Sequence, residues 1–227
     1  VHHESCVLSL DSCRMSKPIL YTYWRSSCAW RVRIALHLKG VEFESRPVDL
    51  VKKSGQFADE CYKLNPSERV PVLVHNGHSI CESLAIIEYI DEIFPGVALL
   101  PKDPVKRATA RALALHIASG IQPLQNLKVM QKLNAEEAGK GQKWSEYWLT
   151  AGLKELEKMV EKTAGRLMVG DDVTVADICL PSILYNARRW GTDVAAFPTL
   201  LRIEKELEKI DAFEKALPEN QPDAQKA

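Results

Sequence analysis

Every strand signal in this chain precedes Glu82, and beyond Pro104 only helical periodicity remains. That one-sided distribution requires a small sheet built from the first part of the chain and a separate helical body built from the rest. The first part alternates. Ile19 to Tyr23 is short, apolar and aromatic and reads as a strand, and the residues after Cys28 mix charged and apolar side chains at helical spacing up to Gly40. Glu42 to Val48 predicts a second strand, anchored by Phe43 and Val48, and Ser54 to Leu64 a helix stopped by Asn65-Pro66. Arg69 to Val74 is a strand carrying Pro71 near its start. Asn76-Gly77 is a hairpin turn leading into His78 to Cys81, and Leu84 to Phe94 returns to helical spacing. Alternating strands and helices closed by an antiparallel pair predict a small mixed sheet with helices on its faces.

The stretch from Pro95 to Pro104 holds three prolines and reads as a linker. Beyond it, Val105 to Leu133 is one long helical pattern that Gly120 and Pro123 should kink. A polar loop over Asn134 to Gly141 and a helix over Trp144 to Val160 follow. Thr174-Val175-Ala176-Asp177 has the form of a capping box that opens a helix running to about Trp190. Pro198 starts a final helical stretch, broken near Asp211. The expected domains are residues 16–95 and 105–218, joined by 96–104. Residues 1–15 read as a disordered or non-native extension, since Met15 would make a natural start, and 219–227 as a disordered tail.

Composition removes several function classes. Thirty basic and thirty acidic residues cancel and no basic tract occurs, so nucleic acid is not an expected partner. No apolar run approaches the roughly 20 residues of a membrane span. The six cysteines contain no C-x-x-C pair, which fits a reducing compartment. His2, His3 and Cys6 sit in the N-terminal extension as chance ligands, and His37, His75, His78 and His116 lack metal-ligand spacing, so no metal is expected.

The chemistry-bearing stretch is Ser26-Ser27-Cys28, placed between the first strand and the first helix. The free N–H groups of a helix start favour negative charge there. Two readings stand side by side at this point: the serines cap the helix, or the site stabilises a thiolate, either the chain's own or a ligand's.

The order of elements, the Val70-Pro71 step, Glu82-Ser83 at a helix start and the Val173 to Asp177 cap together resemble the soluble glutathione transferases. Ser26 to Leu36 (SSCAWRVRIAL) is similar to the signature of the zeta class, whose members are maleylacetoacetate isomerases. Ile121 to Leu127 and Asn186 to Trp190 are similar to two further zeta stretches. The resemblance covers about residues 17–220. It implies a thioredoxin-like α/β N-terminal domain with a cis Val70-Pro71 bond, an all-α C-terminal domain and glutathione as cofactor.

The resemblance also assigns residues. Ser26, Ser27 and Cys28 flank the sulfur of glutathione, with Ser27 first in line to hydrogen-bond the thiolate and Cys28 in support. Gln56 and the backbone of Val70 hold the glycyl and cysteinyl parts. Glu82, at a position often Gln in the class, and Ser83 hold the γ-glutamyl end. Gln122 and Asn126 reach in from the helical domain. Arg189 binds a substrate carboxylate, and Arg25, beside the serines, is a second carboxylate or enolate partner or else a solvated surface arginine.

The implied reaction is the isomerisation of maleylacetoacetate, a dianion with a conjugated cis double bond, to fumarylacetoacetate in tyrosine and phenylalanine breakdown. Thiolate addition, rotation and expulsion accomplish it. Side transferase activity, dehalogenation of α-halo acids, a homodimer and a cytoplasmic location go with this expectation. The rival expectations are a general detoxifying transferase and a non-enzymatic thioredoxin-fold interaction module.

Overall fold

The computed structural model describes residues 16–51 and 55–225; the expected N-terminal extension and part of the loop before the second helix lie outside them. The elements are β1 (Ile19–Thr22), α1 (Ser27–Leu38), β2 (Glu44–Pro47), α2 (Ala58–Leu64), β3 (Val72–His75), β4 (His78–Cys81) and α3 (Ser83–Ile93). The helical half adds α4 (Pro104–Leu115), α5 (Leu127–Glu136), α6 (Lys140–Val160), α7 (Val175–Arg189), α8 (Pro198–Leu207) and α9 (Asp211–Lys215).

The sheet order is β2-β1-β3-β4. β1 runs parallel to β2, with Ile19 opposite Glu44, because helix α1 carries the chain back across the sheet between them. β1 pairs antiparallel with β3, Leu20 opposite Leu73, and β3 with β4 through the Asn76-Gly77 turn, where both residues take positive φ. The peptide bond between Val70 and Pro71 is cis. This is the small mixed sheet that the sequence pattern predicts, in the thioredoxin-like form that the resemblance implies, joined to an all-helical half.

One continuous core spans both halves. Leu20, Ile34 and Leu36 of the sheet half are buried in the same cluster as Leu153, Ile178 and Ile183 of the helical half. The proline-rich connection is pinned into that core as well. Leu99 is fully buried, its N–H donates to the Asp91 carboxylate at 3.0 Å, and its carbonyl accepts from Val175 N–H at 2.9 Å.

Helix α1 is buried on nearly every face, from Ala29 to Leu36, yet it carries Arg31 and Arg33 in that run. Arg33 is fully buried and saturated with acceptors. It donates to the Ala216 carbonyl at 3.1 and 3.3 Å, to the Trp24 carbonyl at 2.9 Å, to the Tyr23 carbonyl at 3.4 Å and to Thr22 Oγ1 at 3.1 Å. Burial draws its pKa down to about 10, with Asp223 acting in the opposite direction. The loop after β1 and the end of α9 therefore share one guanidinium.

Three expectations require correction. The pattern over Val105 to Leu133 is a break rather than a kink. α4 ends at Leu115, a π-turn occupies His116–Ile121 and a 3-10 turn Gln122–Gln125, and α5 restarts behind an Asn126 cap whose Oδ1 accepts from Lys128 N–H. Pro123 has no N–H to continue the ladder, and Gly152 lets α6 close against the π-turn: a Cβ there would lie 2.5 Å from Ile121 Cγ1. The polar loop of Asn134 to Gly141 shortens to Glu137–Gly139, because Gly139 supplies a left-handed residue (φ 80°) immediately before α6. The tail is docked as far as residue 225. Asp223 accepts from Trp24 N–H at 2.9 Å, and Gln221 donates to the Leu217 and Lys215 carbonyls at 2.8 and 3.0 Å. Its polar composition signals solvation, but these side chains are spent on backbone groups left open around α9.

Replacing Arg33 with Leu strands four buried acceptors. A loss of about 3–5 kcal/mol of unfolding free energy is expected, read by chemical denaturation. An unchanged midpoint would show that the guanidinium is not a structural centre.

Candidate active site

A cavity of ≈ 640 Å³ opens where the N-termini of α1 and α3, the cis-proline segment and the π-turn meet. Its size falls within the roughly 300–1,000 Å³ of small-molecule sites. Each wall has a local cause. Ser26 leaves β1's loop in extended conformation (φ −72°, ψ 118°) and caps α1, its Oγ accepting from Ala29 N–H at 3.3 Å. The Ser26 hydroxyl proton is thereby left to point elsewhere. Val70 and Pro71 form the wall behind it. On the far side, Glu82 takes a positive φ of 67° and turns the chain into α3, so that Glu82 and Ser83 both face the cavity. Gln122 and Asn126 close it from the helical half.

Six of the eight residues expected to hold the cofactor (Ser26, Val70, Glu82, Ser83, Gln122 and Asn126) thus share one cavity, together with Cys28. Gln56 does not join them. It is exposed in the turn before α2, and that end of the wall is made by Leu50, Tyr62 and Asn65.

Ser27 also stands off the wall. Ser26 is the extended cap and Ser27 the first helical residue, whose side chain points about 100° away from that of Cys28. Cys28 and Arg31, three apart, face the cavity. Ser27 and Trp30, also three apart, face α7: Ser27 Oγ accepts from Asn186 Nδ2 at 3.0 Å, and the Trp30 and Tyr185 rings meet edge to face at 5.6 Å. The expectation that Ser27 leads therefore passes to Ser26, the hydroxyl on the wall.

The two expected substrate arginines each lie over the tryptophan ring next to them in sequence, Arg25 over Trp24 at 5.0 Å and Arg189 over Trp190 at 4.6 Å. Partial burial and then the charge of Arg25 pull the Arg189 pKa below the ordinary arginine value. Neither lines the cavity; Arg25 directly precedes the Ser26 cap, and the Ser27–Asn186 bond ties α7, which ends at Arg189, to the start of α1. The structural part expected of Asp177 is as the capping box requires. Its carboxylate accepts from Thr174 N–H at 2.9 Å, Thr174 Oγ1–H at 2.8 Å and Met168 N–H at 2.9 Å.

One functional residue escaped the sequence assignment. Arg31 is buried and lines the cavity, with Nη1 3.5 Å from Ser83 Oγ, while Nε and Nη2 have no partner. The available signal was a pair of arginines inside an apolar helical run, because a buried guanidinium demands acceptors. Among the described residues no group of three His, Cys, Asp or Glu side chains is placed to hold a metal ion, and no helix is long and apolar enough to cross a membrane.

Comparison with known proteins matches this geometry. Residues 16–92 fit the family model of the glutathione S-transferase N-terminal domain, and residues 124–219 that of the C-terminal domain. The chain is 51% identical over 207 residues to a probable maleylacetoacetate isomerase of Caenorhabditis elegans, covering 91% of this chain and 96% of the relative. It is similar to the crystal structure of a maleylacetoacetate isomerase from Anaeromyxobacter dehalogenans 2CP-1 with glutathione bound in the active site. The TM-score is 0.84 at 43% identity, over 92% of this chain and 98% of that one. It is also similar to the holo structure of a maleylpyruvate isomerase, a bacterial zeta-class glutathione transferase. There the TM-score is 0.86 at 33% identity, over 91% and 100% of the two chains.

The cysteines differ in access. Burial pushes Cys61 and Cys179 up to about 11, and burial and then Glu82 raise Cys81, whereas Cys28 is half-buried on the cavity wall. Brief alkylation of the native protein near pH 8, mapped by mass spectrometry, is expected to label Cys28 before Cys61, Cys81 and Cys179. Labelling of Cys179 first would contradict this packing.

Proposed function

The chain belongs to the glutathione S-transferase family, in its zeta class, and we propose that it converts maleylacetoacetate to fumarylacetoacetate with glutathione as cofactor. One observation carries the proposal: the start of α1 presents Ser26 to a cavity that suits an acidic peptide and, through the Ser27–Asn186 bond, is tied to α7, whose last residue is Arg189. The residues present fit glutathione. Glu82 and the donor-rich start of α3 suit its amino-acid head, and the Ser26 hydroxyl suits its sulfur. When bound, glutathione supplies a thiolate that adds to the conjugated double bond and leaves after rotation.

The chain's own residues do the rest. Ser26 Oγ, already accepting from Ala29, donates its proton to negative charge at the sulfur, assisted by the unpaired first-turn N–H groups of α1. Cys28 shapes the wall beside it without a covalent role. Ser27 acts at one remove, fixing Asn186 and hence the last turn of α7. Arg189 and Arg25 hold the substrate carboxylates, for which a planar guanidinium is suited. The backbone of Val70 with Glu82, Ser83, Gln122 and Asn126 grips the tripeptide.

On this proposal the protein works in tyrosine and phenylalanine breakdown, and we propose a cytoplasmic homodimer as its working form. Weak transfer of glutathione to other electrophiles, including α-halo acids, follows from the same thiolate. A general detoxifying transferase would share that chemistry but would not need the two arginines. Comparing turnover of maleylacetone, a stable analogue of the substrate, with turnover of an aryl halide separates the two.

The decisive assay measures isomerisation with and without glutathione. Activity is expected only with it, and glutathione-independent turnover would sink the proposal. Ser26→Ala should lower kcat/KM by roughly 10²-fold. Arg189→Ala should raise KM about tenfold or more with kcat nearly kept, as expected for loss of uniform binding. Full activity in Ser26→Ala would remove that serine from the chemistry.

A further inference from the structure

A guanidinium buried without an acid is out of place unless neutral acceptors meet its nitrogens or something supplies the missing negative charge. Arg31 is such a group. It is 1% exposed, makes no ion pair among the described residues, and leaves Nε and Nη2 without a hydrogen-bond partner. Asp177, the fully buried acid on the neighbouring helix α7, has its oxygens taken by Met168 and Thr174. Arg33, two residues along the same helix, shows the contrast: its nitrogens meet carbonyls and a hydroxyl. Arg31 is therefore not a second structural arginine.

Its single polar contact points to a ligand. Arg31 Nη1 approaches Ser83 Oγ at 3.5 Å, and Ser83 is the first residue of the eleven-residue helix α3. A hydroxyl that accepts from a guanidinium has its own proton free to donate onward. Beside it stand the N–H groups of α3's first turn, which have no intrahelical acceptor, and the positive end of the helix dipole. Every group at this spot is therefore a donor or a positive charge. Next to it Glu82 is exposed, makes no side-chain cap bond and faces the same cavity. A site with donors for a carboxylate and, one residue away, a carboxylate for an ammonium matches the head of an α-amino acid.

We propose that Arg31 is the buried counter-charge for the α-carboxylate of the γ-glutamyl residue, acting through Ser83, and that it makes the cavity select peptides carrying that carboxylate. The inference rests on the assignment of the cavity to glutathione. Arg31 is a positioning residue here: it polarises Ser83 and balances the ligand's charge from beneath.

The test is binding, by titration calorimetry, of S-methylglutathione and of its analogue in which γ-aminobutyryl replaces γ-glutamyl. The analogue lacks only the α-carboxylate. The natural protein is expected to prefer S-methylglutathione by roughly 10–100-fold, the span of a hydrogen bond to a charged group. Arg31→Met should lower S-methylglutathione affinity about tenfold or more and leave the analogue within about twofold. Arg31→Lys should recover part of the loss. Arg31→Gln, which keeps a polar group but no charge, takes the place of the Met variant if that variant does not fold. Equal losses for both ligands, or no loss for either, would overturn the proposal. So would a natural protein that binds the two ligands alike, although the glutathione assignment would survive that result. A natural protein that binds neither ligand would overturn both.

Discussion

Burial of Arg33 holds the structure together at the point where function begins. Its guanidinium collects Thr22, Tyr23 and Trp24, the end of β1 and the turn into α1, and the Ala216 carbonyl at the end of α9. A charge in that position persists only because every direction is met by an acceptor. Two consequences follow. The Ser26 cap is presented at a defined angle, and the final segment lies over Trp24, where Asp223 takes its N–H. The start of α1 is therefore framed from both ends of the chain.

Helix α1 then distributes chemistry by direction. Its two arginines, two residues apart, point to different surroundings. Arg33 meets backbone carbonyls and contributes to stability, while Arg31 meets a cavity and one hydroxyl. The adjacent serines divide likewise, Ser26 to the cavity and Ser27 to Asn186 on α7. In the proposed reaction the two faces serve a thiol-bearing peptide and an acidic substrate. The first-turn N–H groups of α1 lie between them.

Much of the architecture was legible because its signals are local. Asn76-Gly77 specifies a tight hairpin through positive φ, and Thr174 with Asp177 builds a cap within four residues. The break between α4 and α5 was half legible. Gly120 and Pro123 announce a disturbance, but its form, a π-turn followed by a 3-10 turn and a new cap, depends on α6 closing over Gly152. The docked tail was not legible, since polar residues that bind backbone carbonyls look the same in sequence as polar residues that face water.

The sequence by itself determined the division into a mixed sheet and a helical half, the strand and hairpin order, the helix caps and the family signature, Ser26 to Leu36. All of these depend on neighbours a few positions apart. The tertiary structure alone decided which of two adjacent hydroxyls faces the cavity, that Gln56, Arg25 and Arg189 stand outside its lining, and that Arg31 keeps two nitrogens without a partner. Those properties depend on side-chain direction and on groups far away in the chain, such as Asn186 for Ser27 and Ser83 for Arg31. A helix turns about 100° per residue, so a one-position difference that is invisible in a motif becomes a different surface in the fold.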